Sequence, residues 1–198
     1  MTMVVFLLEE PSAEALIRGL LPKLFPEEGT IEARFVVFEG KQDLEKKMER
    51  RIRGWLHPAS FVVLRDQDAG DCRVVKQGLA ARAAAGGRAD ALIRVACKEL
   101  EAWVLGDWPA IAAEFNTPSV AELGRKEKFR NPDLLVRPVE ELQRHVPDYR
   151  KVEGARRMGL RLDPAANTSP SFRAFCDGLR RLIAAPLPHP TRPTGRRV

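Results

Sequence analysis

The sequence predicts an α/β protein: a mainly parallel four-stranded sheet with helices on both faces, followed by a helical C-terminal extension. In the first half, short apolar and β-branched runs alternate four times with longer amphipathic stretches, the pattern of a parallel sheet buried under helices. After Trp108 that alternation stops, and Pro118, Pro132, Pro138 and Pro147 divide the chain into short helical pieces. A length of 198 residues, 44% of them hydrophobic, is enough to bury one full core.

Residues 3–8 read as the first buried strand, and Ser12 as the cap of a helix reaching residue 24. A second strand is expected over 33–38 and a second helix over 43–56, with Leu44, Met48, Ile52 and Trp55 or Leu56 on its apolar stripe. The third strand is expected over 61–64 and the third helix over 72–85, closed by Gly86 and Gly87. A fourth strand over 91–95 leads to a helix near 98–105, in which Trp103 has apolar neighbours and is read as core. The last helix, 171–184, carries Phe172, Phe175, Leu179 and Leu182 at helical spacing, with Ser169 and Ser171 as caps. The expected organisation is an α/β core over 1–108, a helical extension packed on it over 109–185, and a basic, proline-rich disordered tail over 186–198.

Composition excludes several classes. No apolar run approaches the roughly 18 to 20 residues of a membrane span, and the opening run lacks the flanks of a signal peptide, so a cytoplasmic protein with no membrane partner is expected. The three cysteines, Cys72, Cys97 and Cys176, show neither disulfide nor zinc spacing, and the three histidines do not pair on a helix face. Any metal must be held by carboxylates. The net charge of +6 permits an acidic partner, and its distribution is uneven: residues 125–161 hold eleven Lys or Arg against six Asp or Glu.

Ligands of parallel α/β sheets bind at the carboxyl ends of the strands, and here those ends are acidic. Glu9-Glu10 follows the first strand, Asp66-Gln67-Asp68 with Asp71 follows the third, and Glu99 and Glu101 lie just past the fourth. Converging carboxylates repel unless a cation or proton is shared, and all-oxygen ligation suits magnesium or manganese. A calcium loop is disfavoured: counting from Asp66, the sixth position is Asp71 rather than glycine and the twelfth is Gln77 rather than glutamate. The plain alternative is a solvated turn in which Asp66 or Asp68 caps a helix. Lys41, at a helix start, and Lys151 and Arg156, in a stripe with Arg150 and Arg157, are the candidate substrate contacts. A charge run of this kind is also an ordinary solvated face.

A glutamate directly after the first strand, a DxD directly after the third and the βαβα pattern between them resemble the Toprim domain of topoisomerases, bacterial primases and OLD-type nucleases. More narrowly, LLEEPSAEALIRGLLPKL at 7–24, FEGKQDL at 38–44, VLRDQDAGDC at 63–72, KELEAWVLGD at 98–107, YRKVEGA at 149–155 and SPSFRAF at 169–175 resemble a bacterial Toprim-like family of unknown function. Members of that family are often encoded beside an SMC- or ABC-like ATPase.

The resemblance implies Glu9 as a general acid or base that also reaches the metal, Asp66 and Asp68 as the catalytic pair holding magnesium or manganese, and Glu101 as an acidic position of the narrower family; Asp71, in the same acidic loop as the pair, is the fifth candidate metal ligand. It implies metal-dependent phosphodiester hydrolysis on DNA or RNA, by water because the single tyrosine, Tyr149, lies far along the chain. The ATPase becomes an expected partner and phage defence an expected setting. Glu10 departs from the Toprim pattern, which has glycine there. That departure keeps open an enzyme on small phosphorylated molecules, beside a non-catalytic regulatory or binding subunit.

Overall fold

The structure, a computed structural model, describes residues 2–27 and 29–185. Four parallel strands, β1 (Thr2–Leu8), β2 (Ile31–Val37), β3 (Ser60–Asp66) and β4 (Leu92–Ala96), form a sheet of order β2-β1-β3-β4. The connections are α1 (Pro11–Leu24), α2 (Lys41–Arg53) and α3 (Cys72–Ala85). After β4 come the single turn α4 (Glu101–Val104), then α5 (Trp108–Glu114), three 3₁₀ segments between Pro118 and Leu134, α6 (Pro138–His145), α7 (Lys151–Gly159) and α8 (Pro170–Ala184). The tail predicted to be disordered, 186–198, lies outside the described residues. Among the described residues no helix is long and apolar enough to cross a membrane.

Strand alternation sorts the sheet into two cores. Val4, Phe6, Leu8, Val62 and Leu64 face α1 and the helices after β4, in one cluster with Leu16, Leu20, Trp103, Trp108, Phe172 and Phe175. Val5, Leu7, Phe61, Val63 and Ile93 face α2 and α3, against Leu44, Met48, Ile52, Leu79 and Ala83. Trp103 is core, as expected, fully buried and packed on Phe172 and Phe175 with ring centroids 5.5 and 5.0 Å away. Truncating such a residue to alanine costs about 3–5 kcal/mol. Helix α7 lies directly on α1, because a Cβ on Gly159 would stand 2.3 Å from the Leu16 carbonyl oxygen; any larger residue there would push the helices apart.

Several boundaries differ from expectation. β3 runs on to Asp66, which is therefore a strand residue and not part of the turn. Ser12 does not cap α1; it sits inside the helix and donates its hydroxyl to Glu10. α2 begins at Lys41 and stops at Arg53, leaving Trp55 and Leu56 outside it and Leu56 exposed. Ser169 does cap α8, accepting from Phe172 N–H at 3.2 Å, whereas Ser171 accepts the Trp103 indole N–H at 2.8 Å.

Candidate functional site

The chain leaves β1 toward β2 on one side, then crosses back over β1 to β3 on the other. The reversal opens a crevice at the carboxyl ends of β1 and β3, where ligands of such sheets bind. Glu9-Glu10 and Arg65-Asp66 meet at this crevice. Strand alternation divides them: Leu8 and Leu64 face the α1 side, so Glu10 and Asp66 continue that side, while Leu7 and Val63 face α2, so Glu9 and Arg65 continue the other.

On the α2 side the charges are paired. Arg65 is 6% exposed; its guanidinium donates to the Asp66 carbonyl at 2.8 Å and meets Glu45 at 2.5 Å, Asp68 at 3.3 Å and Glu9 at 3.8 Å. Asp68 adopts a left-handed backbone, φ 55°, and turns its carboxylate to Arg65 and to Lys41 Nζ at 2.9 Å. Glu9 Oε2 accepts the Asp66 N–H at 3.0 Å. Burial raises the Glu9 carboxyl above the usual range against the opposing pull of that hydrogen bond and of Arg65.

On the α1 side the charges are not balanced. Burial, and then Glu10, Glu101 and Glu9, push the Asp66 carboxyl well up. Glu101 is 0% exposed; burial raises it to about 7, with Lys151 pulling the other way. One Glu101 oxygen, Oε1, accepts from the Tyr149 hydroxyl over a long 3.5 Å, and the other, Oε2, has no hydrogen-bond partner among the described residues. A buried acceptor left this way is costly unless something else completes it. Lys151 Nζ lies 3.8 Å from Glu10 Oε2, and Glu10 is otherwise held by Ser12. Burial would lower the Lys151 ammonium, but Glu101, Glu10 and Asp66 together outweigh it and hold the ammonium above the ordinary lysine value.

The expected residues therefore separate. Glu9 and Asp66 meet at the crevice through the Asp66 N–H, and the Glu101 charge bears on Asp66. Asp68 is turned away into the Arg65 pair, and Lys41 is occupied there as its counter-ion. Asp71, expected among the metal ligands, caps α3 by accepting from Arg73 and Val74 N–H at 2.8 and 3.0 Å. Among the described residues no group of three or more His, Cys, Asp or Glu side chains is gathered to hold a metal ion, so the expected five-carboxylate set is not assembled. The basic stripe also dissolves. Arg157 pairs with Glu114, and Arg156 pairs with Glu153 on the exposed face of α7, five residues and well round the helix from Lys151.

Two residues were missed by the sequence reading. Glu10, treated there as a departure, shares the Asp66 side of the sheet. Tyr149, set aside as remote, is fully buried beside Glu101, and its ring occupies the space over Gly154, where a Cβ would stand 2.2 Å from Tyr149 Cε2. The YRKVEG stretch thus has a structural sense: tyrosine to meet Glu101, lysine to meet the carboxylates, glycine to clear the ring.

Over residues 8–180 the chain matches the family described as Domain of unknown function (DUF4276). No curated protein and no solved structure matches it.

Proposed function

The chain belongs to the DUF4276 family, and we propose that it is a divalent-cation-dependent phosphodiesterase acting on nucleic acid at the β1/β3 crevice. The observation that carries the reading is Glu101, fully buried with a carboxylate oxygen unpartnered among the described residues, its charge opposed by Glu10 and felt by Asp66. The donor set fits a hard cation: it is all oxygen, short of positive charge, and has lone pairs to offer. Magnesium commonly binds through one or two carboxylates plus substrate phosphate rather than a closed protein cage, which suits a pair such as Asp66 and Glu101.

Bound there, the ion supplies neutralisation of charge on the phosphate and orientation of the attacking or leaving oxygen. Glu9, held from the α2 side by the Asp66 N–H and Arg65, carries a carboxyl raised by burial and suited to exchange a proton with the attacking water or the leaving oxygen. Lys151 is the cation within reach of a phosphate. The Toprim-like pattern of Glu9 and Asp66-x-Asp68 in the sequence supports the same chemistry.

The test is hydrolysis of labelled DNA and RNA by the full chain with magnesium or manganese, alone and with the SMC- or ABC-like ATPase that the resemblance implies. Asp66→Asn is expected to lower the rate by about 10²-fold or more while the protein stays folded. A folded Asp66→Asn protein with undiminished activity overturns the assignment. Metal uptake without cleavage of any substrate moves the reading to a binding subunit.

A further inference from the structure

The two sides of the crevice use their cations differently. Arg65 is buried and engages its partners through a rigid planar fork. Lys151 is the cation that bears on both Asp66 and Glu101, yet its side chain is 43% exposed and its closest carboxylate contact, to Glu10, is at 3.8 Å. Its backbone is well anchored, because it opens α7, which is locked onto α1 at Gly159 and Leu16. Its four-carbon stem, in contrast, is free to carry the ammonium elsewhere. The ammonium leaves the buried Glu101 Oε2 atom unpartnered among the described residues.

We infer that Lys151 is a displaceable internal counter-cation: it screens Glu10, Asp66 and Glu101 in the metal-free protein, a divalent cation drives its ammonium out, and the released ammonium then contacts the phosphate of the substrate. This rests on the cation-dependent reading above. The physical reason is competition. An ammonium and a divalent ion a few ångströms apart repel strongly in a partly buried site, and of the two only the lysine has somewhere else to go. An incoming phosphate brings the negative charge that makes its new position favourable. Metal and phosphate should therefore bind with positive coupling, each strengthening the other.

The experiment measures manganese binding to the full chain by calorimetry, at low ionic strength, for wild type, Lys151→Met and Lys151→Arg. Lys151→Met is expected to bind manganese about tenfold more tightly than wild type, with the gap narrowing as salt is raised. Lys151→Arg, which keeps the charge, is expected to bind no more tightly than wild type. Inorganic phosphate is expected to strengthen manganese binding in wild type and to lose that effect in Lys151→Met. Should Lys151→Met fail to fold, the arginine variant and the phosphate coupling of wild type carry the test. Equal or weaker binding by folded Lys151→Met, several-fold tighter binding by Lys151→Arg, or no phosphate coupling in wild type overturns the inference while the cation site stands. No manganese binding by any of the three proteins removes the cation-dependent reading and the inference together.

Discussion

The carboxyl rim of the sheet is built as two unlike halves only one strand position apart. Toward α2, Glu45 and Asp68 meet Arg65, and Asp68 meets Lys41 as well, so acids and bases are matched. Toward α1, Glu10, Asp66 and Glu101 share Lys151, and among the described residues Glu101 keeps an oxygen without a partner. Closely spaced residues are sent to opposite sides by the two-residue period of a strand, and Asp68 crosses over because its left-handed backbone turns it. The matched half fixes geometry, whereas the unmatched half holds electrostatic free energy that a ligand can relieve. If that contrast is right, removing charge must have opposite signs in the two halves.

The largest expected effect is in the matched half. Arg65→Met leaves Glu45, Asp68 and Glu9 without their shared cation and the Asp66 carbonyl without its donor. Breaking a buried pair from one side costs about 3–5 kcal/mol, and partial exposure of Glu45 and Asp68 brings the expectation to about 3 kcal/mol. Urea unfolding measures it. A loss below about 1 kcal/mol would mean that solvent already screens this half and that the two halves are not unlike.

In the unmatched half the sign reverses, and pH reveals it. The Glu101 carboxyl rises from an ordinary 4.5 to about 7 on folding, chiefly through burial. The folded state therefore holds a proton that the unfolded state has released between those two values, and stability falls as pH rises across that window. The full penalty above pH 7 is about 3 kcal/mol. Asp66, raised in the same direction by burial and by Glu10, adds to the fall. Glu101→Gln, with metal removed by chelator, is expected to gain about 1–3 kcal/mol at pH 8 and to flatten the melting-temperature profile between pH 5 and 7. A loss of stability at pH 8 would show that the carboxylate is satisfied after all.

Much of this architecture was legible in residue order, and the failures have physical causes. Four strands and their covering helices followed from β-branched runs and from stripes such as Leu44, Met48 and Ile52, because burial enforces those patterns whatever the partner. Asp66 was placed just past a strand ending at residue 64, because the apolar run stops there; the strand continues through Arg65 and Asp66, where the Glu9 carboxylate accepts the Asp66 N–H. Glu10 could have been found by carrying the alternation of Leu8 and Leu64 one step further. Tyr149 could not, since its partner Glu101 is 48 residues away and only Gly154 records the contact locally. The basic excess of 125–161 misled because a window count omits partners outside it: Glu114 neutralises Arg157 and Arg161, and Glu122 meets Arg125.

The smallest expected effect tests where the matched half ends. Lys41 and Asp68 stand 2.9 Å apart, but their side chains are 47% and 38% exposed, so water and salt share the interaction. A double-mutant cycle with Lys41→Met and Asp68→Asn should give a coupling of about 0.5 kcal/mol that fades in high salt. Arg65 is the reason the value can be that small: Asp68 keeps a second cation at 3.3 Å when the lysine is removed. Repeating the cycle in Arg65→Met should therefore enlarge the coupling. An unchanged value would place Lys41 outside the Arg65 network and leave its ammonium available to a ligand, as its position at the start of α2 first suggested.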